Sequence, residues 1–119
     1  MVWNLKQRRS TGLRDISGLL NADFSAFQLR VLRIGDSVTV HIVNLSYAGA
    51  GTGTLSVMLL PAGLRPPATA AGYTTRGQSS LVTSSGVVQV VNPGPSVASV
   101  TFSYLTLDPF PSTLPGVSA

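Results

Sequence analysis

LRVLRIGDSVTVHIVNLS at residues 29–46, followed by AGAGTGTLSVMLLPAGLRPP at residues 48–67, decides the fold class of this 119-residue chain. Leu29 to Ile34 and Ser37 to Val43 are strand-like runs joined by Gly35-Asp36, and glycine in first place is what a type II′ hairpin turn requires. In the second run Val38, Val40 and Ile42 fall on one face and Ser37, Thr39 and His41 on the other, the period of a half-buried strand. The glycine-rich stretch Tyr47 to Gly53 reads as a loop. A third strand, Thr54 to Leu60, stops at Pro61, which cannot donate to a ladder; Ala62-Gly63 then turns the chain into the extended Arg65-Pro66-Pro67.

Working outward, Pro67 to Gly77 reads as a long connection, and Gln78–Thr83 and Gly86–Val91 as a second hairpin around Ser84-Ser85-Gly86. Val97 to Leu105 is the longest remaining strand, with Ala98, Val100, Phe102 and Tyr104 on one side. Before the first hairpin, Leu13 to Phe27 is mixed, and Ile16, Leu19 and Leu20 fit one helical turn or an edge strand. The final LDPFPSTLPGVSA, with three prolines, is expected to lie extended as a clasp over the surface or over a neighbouring subunit. About six short strands with turn signals between them predict an all-β fold, an antiparallel β-sandwich or jelly-roll-like domain over residues 13–119, preceded by a basic arm at residues 1–12.

Charged residues make up only 10% of the chain, against roughly a quarter in an ordinary soluble domain. Interface cores are depleted in charge, so this composition predicts a homo-oligomer or a capsid-like array. The chain has no cysteine, and so neither a disulfide framework nor a cysteine metal site. The start of the sequence lacks the apolar core of a secretory signal, and no run is long enough to cross a bilayer as a helix, so we expect a soluble, unprocessed chain without membrane insertion. The net charge of +4 is concentrated early, at Lys6, Arg8, Arg9, Arg14, Arg30 and Arg33. Stacking aromatics do not interleave with these cations, which argues against nucleic acid and for an arm that docks on an acidic neighbour.

Catalytic patterns are weak. His41 is the only histidine, on the polar side of a strand, and no GxSxG elbow accompanies it. The carboxylates are Asp15, Asp23, Asp36 and Asp108, each with a local structural reading, and they form no acid/base pair. Gly49, Gly51 and Gly53 precede a strand rather than a helix and lack the lysine of a phosphate loop. Four scattered aspartates offer no hard-cation ligand spacing, so no metal, no cofactor and no enzymatic activity are expected.

The combination of Arg14-Asp15-Ile16-Ser17, the core LRIGDSVTV at residues 32–40, LPAGLRPP at residues 60–67, the strand after Gly86 and TLDPFP at residues 106–111 resembles the β-rich terminal domain of bacteriophage tail-fibre, minor tail and head-fibre proteins. The likeness spans Arg14 to Gly116, with Leu64 standing where such domains usually carry an aromatic residue. It implies a homotrimeric β-sandwich head on the virion, peripheral on tail or capsid, that partners other virion proteins and attaches to the host surface, including its glycans. Packing around a threefold axis would bury apolar faces such as Val87, Val88 and Val90, or Leu55, Val57 and Leu59. For a sugar ligand, Tyr47 and Tyr73 in loops and Arg76 beside them are the candidate contacts, while Arg65 is expected to tie its own turn to backbone carbonyls. Trp3, Lys6, Arg8, Arg9 and Arg14 are the candidate virion-docking residues. The second reading is a capsid decoration or head-fibre protein anchored by that arm.

Overall fold

The computed structural model describes residues 9–94 and 97–119. They form an all-β, antiparallel, sandwich-like arrangement of two sheets. The strands in chain order are β1 (Arg14–Asp15), β2 (Phe24–Ser25), β3 (Gln28–Ile34), β4 (Ser37–Tyr47), β5 (Thr54–Leu59), β6 (Ala70–Tyr73), β7 (Ser79–Val82), β8 (Val87–Val91), β9 (Ala98–Leu105) and β10 (Val117–Ser118).

The first sheet is built on the expected hairpin. Leu29 pairs with Ile42 and Ile34 with Ser37 across Gly35-Asp36. Gly35 has φ +58° and Asp36 is not left-handed, as a type II′ turn requires. On one side, β3 pairs with β1 and β1 with β10; on the other, β4 pairs with β9, while β2 extends the β3 ladder at the far end of β4. Between Ile42 and Leu45 the register to β9 slips through a bulge, where Asn44 takes φ +53° and its N–H donates to Ser99 Oγ at 3.0 Å.

The second sheet runs β5-β8-β7-β6. Its central hairpin turns at Ser84-Ser85-Gly86, where Gly86 N–H donates to the Thr83 carbonyl at 2.9 Å. The inner faces meet in one core: Leu29, Val31, Val38, Val40, Ile42, Val100 and Phe102 from the first sheet pack against Val57, Met58, Val82, Val88 and Val90 from the second. Both flanks of the second sheet are stitched to the first. At β5, Leu20 bridges Met58 and Asn21 N–H donates to the Val57 carbonyl at 2.8 Å. At β6, Thr75 N–H donates to the Ser99 carbonyl at 2.9 Å, and Gly72 passes so close to Phe102 that a Cβ there would lie 3.3 Å from the ring.

Several expectations need correcting. The connection after Pro67 contains a strand, β6, and the proline-rich C-terminus ends in another, β10, added to the sheet edge by β1. Segment 13–27 holds two two-residue strands, β1 and β2, with a 3₁₀ turn at Ser17–Leu19 between them, and only Ile16 among its apolar residues is fully buried. Arm residues 9–12 are partly strapped down: Ser10 bridges Ile34, Thr11 N–H donates to the Arg33 carbonyl at 3.0 Å, and Gly35 N–H donates to the Arg9 carbonyl at 2.7 Å. Val57, Val88 and Val90 are fully buried between the sheets and so are not available to a neighbouring subunit; Val87 and Leu59 face outward. The side assigned to Ala98, Val100, Phe102 and Tyr104 is the inward one.

Candidate functional site

The sandwich has two ends, separated by the eleven residues of β4 and therefore by about 34 Å. At the Gly35-Asp36 end the chain builds a clamp around one buried cation. Arg33 is in phase with Leu29 and Val31 on the inner face of β3 and is 2% exposed. Its Nε donates to the Gly35 carbonyl at 2.7 Å, Nη1 to the carbonyls of Gly63 at 2.6 Å and Pro109 at 3.0 Å, and Nη2 to the Asp108 carbonyl at 2.9 Å. Among the described residues its one ion-pair partner is Asp36, 3.4 Å from Nη2 and itself solvent-facing. Carbonyl dipoles therefore carry most of the solvation of this guanidinium, a task suited to the planar fork of arginine.

The carbonyls are held in place by the segments around them. Asp108 Oδ2 accepts from Gly63 N–H at 2.9 Å and Arg65 N–H at 3.3 Å, and Thr106 Oγ1 donates to the Arg65 carbonyl at 2.6 Å. Arg65 Nε donates to the Leu60 carbonyl at 2.8 Å, the turn-tying role expected of it. Tyr104 OH donates to the Leu64 carbonyl at 2.6 Å; burial, with the Asp108 charge adding to it, pushes the phenol well above its ordinary range. Gly63, at φ +98°, lies against Pro111, so a side chain there would be strained in its backbone and would press on the proline ring at 3.0 Å. Beside the clamp is an open cleft of about 750 Å³, lined by Arg9, Asp36, Ser37, Leu105, Pro109 and Phe110 among others. The Phe110 ring lies under the guanidinium of Arg9, 4.4 Å from its centroid, and 5.3 Å from that of Arg33.

Arg33 was counted in sequence with the basic head, and its central place was missed. The parity of β3 carries the signal, since Arg33 falls two residues after Val31 and four after Leu29. Outward Leu32 and Ile34 mask it by making both faces look apolar.

The three residues singled out for a ligand lie at the other end. Tyr47 and Tyr73 are strand ends rather than loop residues, closing β4 and β6. Tyr47 is half-buried, its ring 4.8 Å from that of Phe24, and its hydroxyl accepts from Gly51 N–H at 3.0 Å, so it holds its own glycine loop. Tyr73 is 73% exposed. Arg76 is exposed in the turn after it, where Thr74 Oγ1 accepts from the N–H groups of Arg76 at 3.3 Å and Gln78 at 3.2 Å. Thus Tyr73 at its strand end and Arg76 in the turn after it donate no side-chain hydrogen bond among the described residues, and Tyr47 holds the glycine loop at the same end.

Of the docking residues, Trp3, Lys6 and Arg8 lie outside the described residues. Arg9 sits on Phe110 at the cleft. Arg14 belongs to the sheet edge, where Nε donates to the Pro115 carbonyl at 2.8 Å and Nη2 to that of Gly116 at 3.0 Å, binding the C-terminal segment. His41 shares a hydrogen bond of 2.8 Å with Thr101 Oγ1 on the outer face of the first sheet. Among the described residues no three His, Cys, Asp or Glu side chains gather as a metal site. No helix among them is long and apolar enough to cross a membrane. No protein-family model matches the chain, and no curated protein matches it.

Proposed function

We propose that this protein is a non-enzymatic virion module of a bacteriophage, a peripheral tail-fibre or minor-tail type trimeric head that attaches to the bacterial surface. The observation that carries this reading is bipolarity. The N-terminal strap runs along β3 to the Gly35 end, with Arg9 at the cleft, while Tyr73 and Arg76 stand at the opposite end. A module that docks by one pole and touches its target with the other needs that layout. The segments LRIGD, LPAGLRPP and TLDPFP, which carry the resemblance, also converge on Arg33, so they serve one purpose: a rigid docking end.

The test is a surface glycan and whole-cell binding assay with the protein displayed multivalently, because single contacts of this kind are weak and avidity multiplies them. Binding that Tyr73→Ala together with Arg76→Ala lowers at least tenfold supports attachment. No binding to any bacterial surface, with antibody labelling confined to the capsid shell of purified particles, replaces it with the decoration reading.

A further inference from the structure

The cleft beside the clamp joins apolar walls to one cation that has no counterion. Ile34, 41% exposed, and Leu105, 66% exposed, line it together with Pro109 and Phe110. These walls are fixed from three directions: Thr106 N–H donates to the Asp36 carbonyl at 2.8 Å, Gly35 N–H to the Arg9 carbonyl, and Arg33 to the Pro109 carbonyl. The cleft's volume of about 750 Å³ falls within the ~300–1,000 Å³ of ligand pockets. Arg9 is exposed, and the Phe110 ring under it fixes one face of the guanidinium without satisfying its N–H donors. Among the described residues no carboxylate pairs with Arg9 and no acceptor takes a hydrogen bond from its side chain, since Asp36 turns to Arg33 Nη2 and Asp108 to the N–H groups of Gly63 and Arg65.

We infer that this cleft seats an extended segment of a partner protein in which a single carboxylate stands beside large apolar side chains, the carboxylate on Arg9 and the apolar groups against Ile34, Leu105 and Phe110. The inference rests on the docking role proposed for this end and names its recognition chemistry. Charge selects the occupant. Residues 1–8 of this chain would bring the like charges of Lys6 and Arg8 to Arg9, and a second copy offering the same end would set arginine against arginine. A polyanion such as nucleic acid needs several cations, whereas here exposed Asp36 opposes every negative charge after the first. A neutral glycan would find few partners for its hydroxyls, because among the described residues Ser37 brings the one hydroxyl of the lining. One carboxylate gains charge-assisted hydrogen bonds from the guanidinium fork, and walls already held in place spare the cost of ordering them.

The test is a titration of the full chain, followed by amide NMR, with the tripeptide N-acetyl-Leu-Asp-Leu amide and with its Leu-Lys-Leu counterpart. The acidic peptide is expected to move the amides of Gly35, Leu105 and Phe110 while leaving Tyr73 and Gly77 in place, and to bind about tenfold more tightly than the basic one. Arg9→Gln should remove that preference, with the unchanged remainder of the spectrum as the control for folding. No movement at ~10 mM acidic peptide overturns the inference, as does equal binding of the two peptides or a preference that survives Arg9→Gln. Binding that appears only once residues 1–8 are deleted makes that segment the occupant, and binding that weakens as the protein itself is concentrated makes it a second copy; either result also overturns the inference. The spectra report on the cleft alone. A chain that takes the acidic peptide yet binds no cell fails the attachment proposal and leaves this one standing, and a chain that binds cells but not the peptide does the reverse.

Discussion

Arg33 and Asp108 approach each other without forming an ion pair: the guanidinium takes the backbone carbonyl of Asp108 at 2.9 Å, while the carboxylate turns to the N–H groups of Gly63 and Arg65. Each charge is solvated by backbone from the segment the other holds. The strands cannot part here without stranding both.

Removing the cation should therefore be costly. Arg33→Met leaves four carbonyls, one buried and three partly buried, short of a donor, and we expect about 3–5 kcal/mol of lost stability in urea titrations. Arg33→Lys should recover less than half, because an ammonium concentrates its three donors at one point. A loss below about 1 kcal/mol for the methionine variant would show that the clamp is ornamental.

Asp108 separates hydrogen bonding from charge. Asp108→Ala strands two N–H groups and should cost about 2–3 kcal/mol, whereas Asp108→Asn keeps one acceptor oxygen and should cost about 1 kcal/mol. Equal losses in chemical denaturation would contradict this division.

Tyr104 predicts behaviour in alkali. In the folded chain its phenol is held neutral above the ordinary range, whereas in an unfolded chain tyrosine ionises near pH 10. The stability it confers is complete below that pH and falls as pH rises further, because only the unfolded state then releases the proton. Tyr104→Phe should cost about 1 kcal/mol at neutral pH through the lost bond to Leu64 and flatten the alkaline decline. An unchanged slope of stability between pH 10 and 11.5 would exclude Tyr104 as its source.

Gly116 has φ +56°, and a side chain there would run into the Asp15 carbonyl. Gly116→Ala should lift β10 from β1, speeding amide exchange at Ala119, whose N–H is held by Leu13, while global stability drops by about 1 kcal/mol. Unaltered exchange at that amide would mean the edge strand tolerates the substitution.

Long alternating runs were legible in the sequence: β3, β4, β5, β7, β8 and β9 lie within a residue or two of the runs read, except that β4 continues to Tyr47 past the bulge at Asn44. β6 was hidden because Ala70-Ala71-Gly72-Tyr73 lacks β-branched residues; its smallness serves the close approach to Phe102, a tertiary demand that strand propensity does not register. β10 was hidden because a proline-rich run leads into it, though only two residues need to pair. The clamp was invisible for another reason. Its acceptors are main-chain carbonyls from the adjacent turn and two distant segments, and a sequence names side chains, not where backbone oxygens point.

The stitched clamp end and the looser far end also set where this protein can change. Gly35, Gly63, Asp108 and Pro109 share one arginine, so an insertion in any of those segments disturbs the rest. The Tyr47–Gly53 loop is held mainly by its own tyrosine and by Asn92, and the Thr74–Gln78 turn largely by its own threonine. On the attachment role proposed above, lineages carrying this module should diverge at those two loops while the clamp stays fixed, and a randomised library confined to them offers the shortest route to altered target choice.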